Sequence, residues 1–428
     1  MQVRSGHLKG SARSLPDGSK VVNGYFIGPG AKLDRANLAG ADLRRIRIGW
    51  DHCDDWEWYR CGTLVGANLR NADLRKADLR NVPLTGAAID GADLRSASLA
   101  GSRSGGTSGL SVRLPVGWGI RRGFVIGPGA DLSGARLARV DLSGLDLAGA
   151  ELTGASSGGI VGSPKLLPTK WALIGGFLLG PGADLRNADL SGLNLGKVTL
   201  GDTDSGANLD NANVSDTSFA GADLTRIEVS KRVRGIPDSL PARWKLIDGY
   251  LLGPKVSLVN ANLSRLDLEG VDLHGAYLEL VNLSAANLTG ANLSGAEAGT
   301  HSSYSLAGTS FARANMTRAN LSGFMTWCDD YGVASFAGAK LAYANLRSSD
   351  FSDCNLSHAD LHGADLQGAW AKWSNLRFAN LQHSKLQHAS LVGSDLRHSN
   401  LHFANLHFAN LSETKLAGAR LPNGRIHE

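Results

Sequence analysis

Leucine or a close substitute recurs at every fifth residue through most of this chain, and the residue two positions earlier is usually alanine. The longest such run starts at Phe336 and ends at Leu421, and only Ala371 interrupts its series of larger apolar residues. A period of five fits neither an α-helix, which repeats every 3.6 residues, nor a β-strand, which alternates every two. The period therefore predicts a solenoid, in which short units stack and bury their apolar side chains against their neighbours.

Shorter runs with the same period precede the long one, and each is offset from the next. They begin at Leu33, Leu64, Leu132, Leu185, Leu209, Leu258 and Leu306. The offsets indicate that insertions interrupt a single type of repeat.

The repeating unit reads Ala-(Asp or Asn)-Leu followed by two variable residues, as at Ala41–Leu43, Ala261–Leu263 and Ala404–Leu406. This unit resembles the pentapeptide-repeat family, and the resemblance covers most of the chain. It implies an all-β fold: a right-handed quadrilateral β-helix with one pentapeptide on each of its four faces. The central Leu or Phe and the small residue two before it would point inward, and the other three residues outward.

Four units per coil would place residues twenty apart directly above one another at strand spacing, about 4.8 Å. This spacing predicts a ladder in which Asn262 lies beside Asn282, and Asp272 beside Asn292.

A second motif, bounded by prolines, occurs four times, at residues 16–29, 115–128, 168–181 and 241–254. Each copy contains a two-residue turn sequence between apolar segments, such as Asn23-Gly24 or Asp248-Gly249, which is typical of a β-hairpin. We therefore predict four inserted hairpins. For the aromatic residues of the hairpins we favour a structural role over a ligand site: they would cover the coils where the register of the repeat is reset. These residues are Tyr25, Trp118, Phe124, Trp171, Phe177, Trp244 and Tyr250.

These signals divide the chain into successive segments. They are residues 1–14, a flexible N-terminus; 15–101, a hairpin and pentapeptide blocks with a loop at 50–62; 102–155, a linker, hairpin and block; 156–230, a linker, hairpin and blocks; 231–323, a hairpin and blocks; 324–335, an insertion loop; 336–421, an uninterrupted block; and 422–428, a tail. The Gly/Ser-rich linkers, residues 102–109 and 156–162, are predicted as flexible crossovers.

Composition excludes several classes of function. The 44 basic and 39 acidic residues give a net charge of +5, which is too balanced to indicate a nucleic-acid-binding face. The first residues contain no apolar run that would suggest a signal peptide or a membrane span, so we expect a cytoplasmic protein. No segment outside the repeats, hairpins and loops is long enough to fold as a catalytic domain, so we expect neither an enzyme nor a cofactor.

A metal site is considered for the segment that contains Asp51, His52, Cys53 and Cys61. Its cysteine spacing does not match the usual zinc pairs, and no second cysteine–histidine pair follows nearby. An ordinary loop is therefore favoured here, and Cys328 is several blocks away.

The C-terminal run carries aromatic and histidine residues at the second position after the inward leucine, where the family pattern points outward. They are Phe378, His383, His388, His398, Phe403 and Phe408. Four-unit coils would place Phe378 between His358 and His398, and would stack the remaining histidines on phenylalanines. Because family members that dimerise do so through their C-terminal ends, the resemblance implies that this patch is an interface for a partner or for a second copy. A surface that binds nothing is an equally weighted alternative. Metal binding by the histidines is the third and least favoured one.

We therefore expect a non-catalytic scaffold that binds an unknown protein partner or a second copy of itself. The alternative is a DNA mimic, because the chain is similar to pentapeptide-repeat proteins that bind gyrase or topoisomerase IV and protect it from poisons. Charge argues against the mimic, since Asp73-Leu74-Arg75 and Asp93-Leu94-Arg95 place opposite charges on one face.

Overall fold

The computed structural model describes residues 15, 19–29, 31–48, 62–297, 309–325 and 334–428. The flexible N-terminus predicted at 1–14 and the segments that contain Cys53, Cys61 and Cys328 lie outside the described residues, so those predictions stand untested. The chain divides into two compact units, residues 1–184 and 185–428.

Each unit is a right-handed quadrilateral β-helix, as the resemblance to pentapeptide repeats implies. Single residues one position before each inward leucine pair in parallel with the same position in the next coil, including Asn262 with Asn282 and Asp272 with Asn292. Their side chains also form the predicted ladder, because the Asn292 amide donates to Asp272 Oδ1 at 3.0 Å. The four-unit coil is therefore confirmed.

The core contains the two inward positions of each unit. Leucines such as Leu74 and Leu361, and alanines such as Ala364, are fully buried. Where phenylalanine replaces leucine the rings pack directly on one another, as Phe311 and Phe336 do with centroids 4.7 Å apart. A coil this narrow accepts one large and one small side chain per face, which explains the alternation in the sequence.

Four antiparallel hairpins are inserted in the coils of the described residues. Their strands are β1 (Lys20–Val22) and β2 (Tyr25–Ile27), β3 (Gly119–Arg121) and β4 (Phe124–Ile126), β5 (Ala172–Ile174) and β6 (Phe177–Leu179), and β7 (Lys245–Ile247) and β8 (Tyr250–Leu252). Both residues of every turn have positive φ, for example 48° at Asp248 and 79° at Gly249, so the predicted hairpins and their turn positions are confirmed.

The hairpins extend a coil without ending the stack. Arg103 pairs with Asp131 instead of with residue 123, because the second hairpin adds eight residues to that coil. Ser156 pairs with Asp184 in the same way across the third hairpin. Stacking within the first unit thus continues past each change of phase.

The prediction that the two Gly/Ser-rich segments are flexible crossovers is wrong, because both belong to the stacked coils. Ser102 and Thr107 are buried at small inward positions, and the Thr107 hydroxyl donates to the carbonyl of Leu84 at 3.0 Å. The carbonyl of Gly158 likewise accepts from the N–H of Arg139 at 2.8 Å. Serine, threonine and glycine fit these positions because they are small and can bond to the backbone of the adjacent coil.

The part of the chain that the structure describes contains no helix that is long and apolar enough to cross a membrane.

Candidate interaction surface

The second residue after each inward leucine or phenylalanine, which we call the edge position, lies in the turn between two faces. Its backbone is in the left-handed region, with φ of 60° at Phe378 and 59° at His383. Because the same position in the next coil lies one strand spacing away, side chains at edge positions form columns along the stack.

The columns of the C-terminal block contain stacked rings. Phe378 lies between His358 and His398, with centroid distances of 4.9 and 5.1 Å and interplanar angles of 10°. Each ring therefore rests nearly flat on the next, as the twenty-residue spacing predicts.

Two neighbouring columns repeat this arrangement. His383 stacks on Phe403 at 5.0 Å, and His388 stacks on Phe408 at 5.1 Å. Edge-on contacts connect further rings on the same side, since His362 lies 5.4 Å from His383. The structure thus brings all six residues predicted from the sequence into ladders.

The exposure of its aromatic side chains sets this block apart from the other described parts of the chain. Phe378, Phe403 and Phe408 are 46, 59 and 70% exposed. Among the described residues, every exposed phenylalanine, tyrosine or tryptophan lies between Tyr343 and Phe408. We call these residues the aromatic–histidine surface; because edge positions five residues apart lie on successive corners of the coil, the surface extends around this block. It comprises Tyr343, His358, His362, Trp370, Trp373, Phe378, His383, His388, His398, His402, Phe403, His407 and Phe408.

Three of these aromatic residues were missed by the sequence analysis. Tyr343 and Trp373 occupy edge positions, so the rule that identified Phe378 could also have identified them. Trp370 occupies the position before an inward residue, where Asp or Asn is usual, and lies 54% exposed with the Lys372 ammonium 5.2 Å from its ring.

Glycine occupies the edge position in the coil that follows Tyr343 and Trp373. A Cβ at Gly393 would lie 2.1 Å from the Trp373 ring, and one at Gly363 would lie 2.7 Å from Tyr343. Each ring therefore folds over the edge position of the next coil, which must lack a side chain.

Ordinary polar contacts surround the ladders. Arg397 donates two hydrogen bonds to Asp395, from Nε at 2.9 Å and from Nη2 at 2.6 Å. The side-chain hydrogen bond from Arg397 lowers the pKa of the Asp395 carboxyl to about 2. On the adjacent face the Asn380 amide donates to Asp360 at 2.9 Å.

The last coil is less covered than those before it. Leu406, Leu411 and Leu416 are only partly buried, whereas Leu361 and other inward residues of earlier coils are buried. The tail folds back beside this coil, where Arg420 pairs antiparallel with Ile426. The aromatic–histidine surface thus ends beside a partly open end of the stack.

A second set of outward columns, in the first unit, contains charges. Asp42, Asp73 and Asp93 pair in sequence along one face. Beside them lie four arginines, and we call the whole set the charged wall: Asp42, Asp73, Asp93, Arg44, Arg75, Arg95 and Arg113.

The charges of this wall are paired with each other. The closest N–O distances are 2.6 Å between Arg75 and Asp73 and 2.7 Å between Arg95 and Asp93. The side-chain hydrogen bond from Arg95 lowers the pKa of Asp93 to about 2, so this carboxylate remains charged at neutral pH. The opposite charges expected on one wall are therefore present and mutually satisfied.

The hairpin aromatic residues pack on the solenoid. Tyr25 and Trp118 lie against one core cluster of the first unit, and Trp118, Phe124 and Trp171 against another. Phe177 approaches Gly158, whose added Cβ would lie 3.2 Å from the ring.

Three tryptophans lie flat on glycines of their own hairpin motif. A Cβ at Gly127, Gly180 or Gly253 would lie 2.1 or 2.2 Å from the ring of Trp118, Trp171 or Trp244, respectively. Tyr250 is 5% exposed.

The second hairpin also fills a gap in the core. A Cβ at Gly109 would lie 2.1 Å from Ile120 of β3, which occupies the space that an inward leucine would otherwise fill. These contacts support the structural role predicted for the hairpins.

No group of three or more potential metal ligands occurs among the described residues. Cys354 is a buried free cysteine in the core. The histidines of the aromatic–histidine surface are arranged to stack on rings.

A family model described as pentapeptide repeats matches the chain in eight copies, over residues 64–101, 129–156, 205–227, 257–297, 334–369 and 374–407. A comparison with curated proteins finds no match.

Several solved structures are similar to the chain. One is HetL, a pentapeptide repeat protein involved in heterocyst differentiation regulation from the cyanobacterium Nostoc sp. strain PCC 7120. The two sequences are 24% identical, the match covers 68% of this chain and 93% of HetL, and the TM-score is 0.30. Full-length QnrB1, a plasmid-mediated fluoroquinolone resistance protein, has 12% identity, coverage of 89 and 90%, and a TM-score of 0.23. Rfr23 from the cyanobacterium Cyanothece 51142 has 31% identity, coverage of 24 and 58%, and a TM-score of 0.14.

Proposed function

Because the chain belongs to the pentapeptide-repeat family, we propose that it is a non-catalytic scaffold that binds another protein chain through its aromatic–histidine surface. A second copy of the chain is the partner to be tested first. Both signs of charge lie beside this surface, as at Arg377 and Asp395, and mixed charge is compatible with a self-complementary interface.

One observation carries this proposal: among the described residues the exposed rings lie in one block, and all of them except Trp370 stand at left-handed backbone positions. A left-handed conformation costs a residue with a side chain about 1–2 kcal/mol. Glycine avoids that cost at some edge positions, for example Gly134, Gly144 and Gly149, whereas other edge positions carry polar side chains such as those of Arg35 and Arg139. Retaining Phe403 and Phe408 at such positions, more than half exposed, favours a role outside the fold.

The residue types also fit a protein interface. Aromatic side chains are enriched in the buried centres of interfaces, where they provide most of the binding free energy. The rings are held in columns by their neighbours, so little side-chain entropy remains to be lost on binding. A merely decorated surface would not need this arrangement at edge positions.

The DNA-mimic alternative is disfavoured by the paired charges of the charged wall. A mimic must present a continuous acidic face, because duplex DNA carries one negative charge per about 1.7 Å of its axis. Asp42, Asp73 and Asp93 do form an acidic column, but each has an arginine within 2.8 Å. A gyrase supercoiling assay should accordingly show no inhibition by the purified protein, and inhibition would revive the mimic.

The test is the molecular mass of the full chain by sedimentation equilibrium over a range of concentrations. We expect the wild-type protein to self-associate and the double variant Phe403→Ser/Phe408→Ser to remain monomeric. Ile236→Ser, which removes an exposed apolar side chain outside the surface, is the control and should retain the wild-type mass. A wild-type protein that is monomeric throughout, or a double variant with unchanged mass, would overturn self-association through this surface.

A further inference from the structure

The first unit contains a cleft of ≈ 620 Å³ with an excess of positive charge. Its lining residues are Ser19, Lys20, Asp42, Arg44, Arg45, Arg75 and Lys76. Five cationic side chains thus surround one carboxylate. The cleft lies within the first unit and is independent of the aromatic–histidine surface.

The solenoid geometry brings these cations together. The N–H of Arg45 donates to the carbonyl of Arg75 at 3.2 Å, so the turn that carries Arg44 and Arg45 lies directly beside the turn that carries Arg75 and Lys76. Arg45 and Lys76 both occupy edge positions, with φ of 57° and 60°. Lys20 reaches the cleft from β1, where its ammonium lies 3.5 Å from Asp42.

Three of the five cations are held by carboxylates: Lys20, which contacts Asp42, and the two arginines Arg44 and Arg75. Arg44 contacts Asp42 at 2.8 Å and Asp73 at 3.5 Å, and Arg75 contacts Asp73 at 2.6 Å. The side-chain hydrogen bond from Arg44 holds the pKa of Asp42 well below its usual range. These contacts fix the two guanidinium groups in the wall of the cleft.

Arg45 and Lys76 have no such partner. Neither forms an ion pair with any carboxylate of the described residues, although they lie one coil apart and repel each other. Both also stand at left-handed positions that cost about 1–2 kcal/mol relative to relaxed backbone. Two adjacent cations in a cleft, with no counter-charge among the described residues, indicate that an external anion completes the arrangement.

We propose that this cleft binds a small anion that carries two or more linked phosphate groups. Arg45 and Lys76 would contact successive phosphates, because residues at the same position in adjacent coils are separated by about 4.8 Å. Arginine offers a planar pair of donors to phosphate oxygens, and lysine acts as a compact point charge. The volume lies within the range of about 300–1,000 Å³ that is usual for small-molecule sites.

A nucleic acid fits the surroundings less well. A polymer would need a basic stripe that continues past the cleft, because its affinity depends on many phosphate contacts. Beyond Arg75 the next arginine of the column, Arg95, is bonded to Asp93 at 2.7 Å. The unpaired positive charge is thus local, which favours a small anion.

Calorimetric titration of the full chain with inorganic tripolyphosphate at low ionic strength tests the proposal. We expect saturable binding with one site per chain. The double variant Arg45→Gln/Lys76→Gln should weaken it at least tenfold, because the two unpaired charges are lost while the side chains keep their length. Single inorganic phosphate should bind at least tenfold more weakly than tripolyphosphate.

The matched control is Arg35→Gln/Arg139→Gln. These arginines have φ of 57° at edge positions of the same unit, and neither lines the cleft. The control variant should bind tripolyphosphate within twofold of wild type. Equal weakening in both double variants would show only general attraction by net charge and would overturn the site, as would the absence of binding to the wild-type protein.

Two further ligands identify the source of the phosphates. A nucleoside triphosphate that binds as tightly as tripolyphosphate would show that the phosphates alone are recognised, and tighter binding would extend the site to the base. A single-stranded oligonucleotide that binds more tightly than both, and loses affinity in both double variants, would overturn the small-anion proposal in favour of a polymer.

Discussion

The charged wall of the first unit and the aromatic–histidine surface of the second are both built from columns of side chains along a stack of coils, and the two have opposite consequences. In both, one outward position recurs in successive coils and its side chains form columns. The carboxylates of Asp73 and Asp93 would repel one another, so each is bonded to an arginine. The rings of Phe378 and its histidine neighbours need no counter-charge, and they stack while remaining partly exposed. A column of charges neutralises itself, whereas a column of rings leaves a surface available for binding.

The comparison separates the determinants of fold and of function. Inward positions are occupied by the same few residue types in both units, whereas the outward residues of the charged wall differ from those of the aromatic–histidine surface. Exchanging outward residues should therefore alter binding with little effect on folding, whereas inward residues should matter equally in either unit.

We expect the largest loss of stability from substitutions of inward leucines. Leu74 lies beneath the charged wall, Leu361 beneath the aromatic–histidine surface, and both are buried. We expect Leu74→Ala and Leu361→Ala each to lower the free energy of unfolding by about 2–5 kcal/mol, because each leaves a cavity in a narrow core. Urea unfolding followed by far-UV circular dichroism measures this. A loss below about 1 kcal/mol in one unit alone would show that the two cores are not equivalent.

A smaller effect should distinguish the edge positions of the two regions. Lys76→Gly should raise the free energy of unfolding by about 0.5–1 kcal/mol, because it relieves a left-handed backbone and removes no stacked ring. Phe378→Gly relieves the backbone in the same way, but it removes two ring contacts worth about 0.5–1.5 kcal/mol each. We therefore expect the free energy of unfolding of this variant to stay unchanged or to fall. The two thermal unfolding midpoints should shift differently, and equal shifts would contradict a stabilising role for ring stacking.

The smallest expected effect depends on pH and involves both regions. Asp93 and Asp395 have pKa values lowered to about 2 by hydrogen bonds from Arg95 and Arg397. Because the folded-state pKa lies below the unfolded value of about 3.9, these pairs stabilise the fold above pH 4 and lose that effect as the pH falls toward 2.

The arginines are partly exposed, so each pair should contribute less than about 1 kcal/mol. Comparing Asp93→Asn and Asp395→Asn with wild type at pH 7 and pH 2.5 measures the contribution. A difference from wild type that is the same at both pH values would exclude the ion pairs as its source.

Much of the fold is encoded in the fivefold period, because each inward position must be filled and each coil must match its neighbour. The period predicts the ladder of Asn262 and Asn282 and the stacking of Phe378 on two histidines. The buried hydroxyl of Thr107 was not anticipated, because its bond to the carbonyl of Leu84 depends on the adjacent coil. Composition alone made that Gly/Ser-rich segment resemble a linker.

Part of the candidate surface could likewise be read from the repeat. The edge-position rule identifies Phe403 and Phe408 and, applied consistently, Tyr343 and Trp373. The cleft around Arg45 and Lys76 could not be found this way, because it brings together residues from two coils and a hairpin whose distance apart in the chain follows no fixed period.

The stacked rings of the C-terminal block have one more consequence. Several similar contact points, each a strand spacing from the next, allow a partner with a matching repeat to engage many of them at once. Once the first contact forms, the others are held at high effective concentration, so weak individual contacts add up to strong avidity. A partner with a different spacing could use only one contact at a time. The spacing of the ladder would then select its partner by periodicity as well as by chemistry.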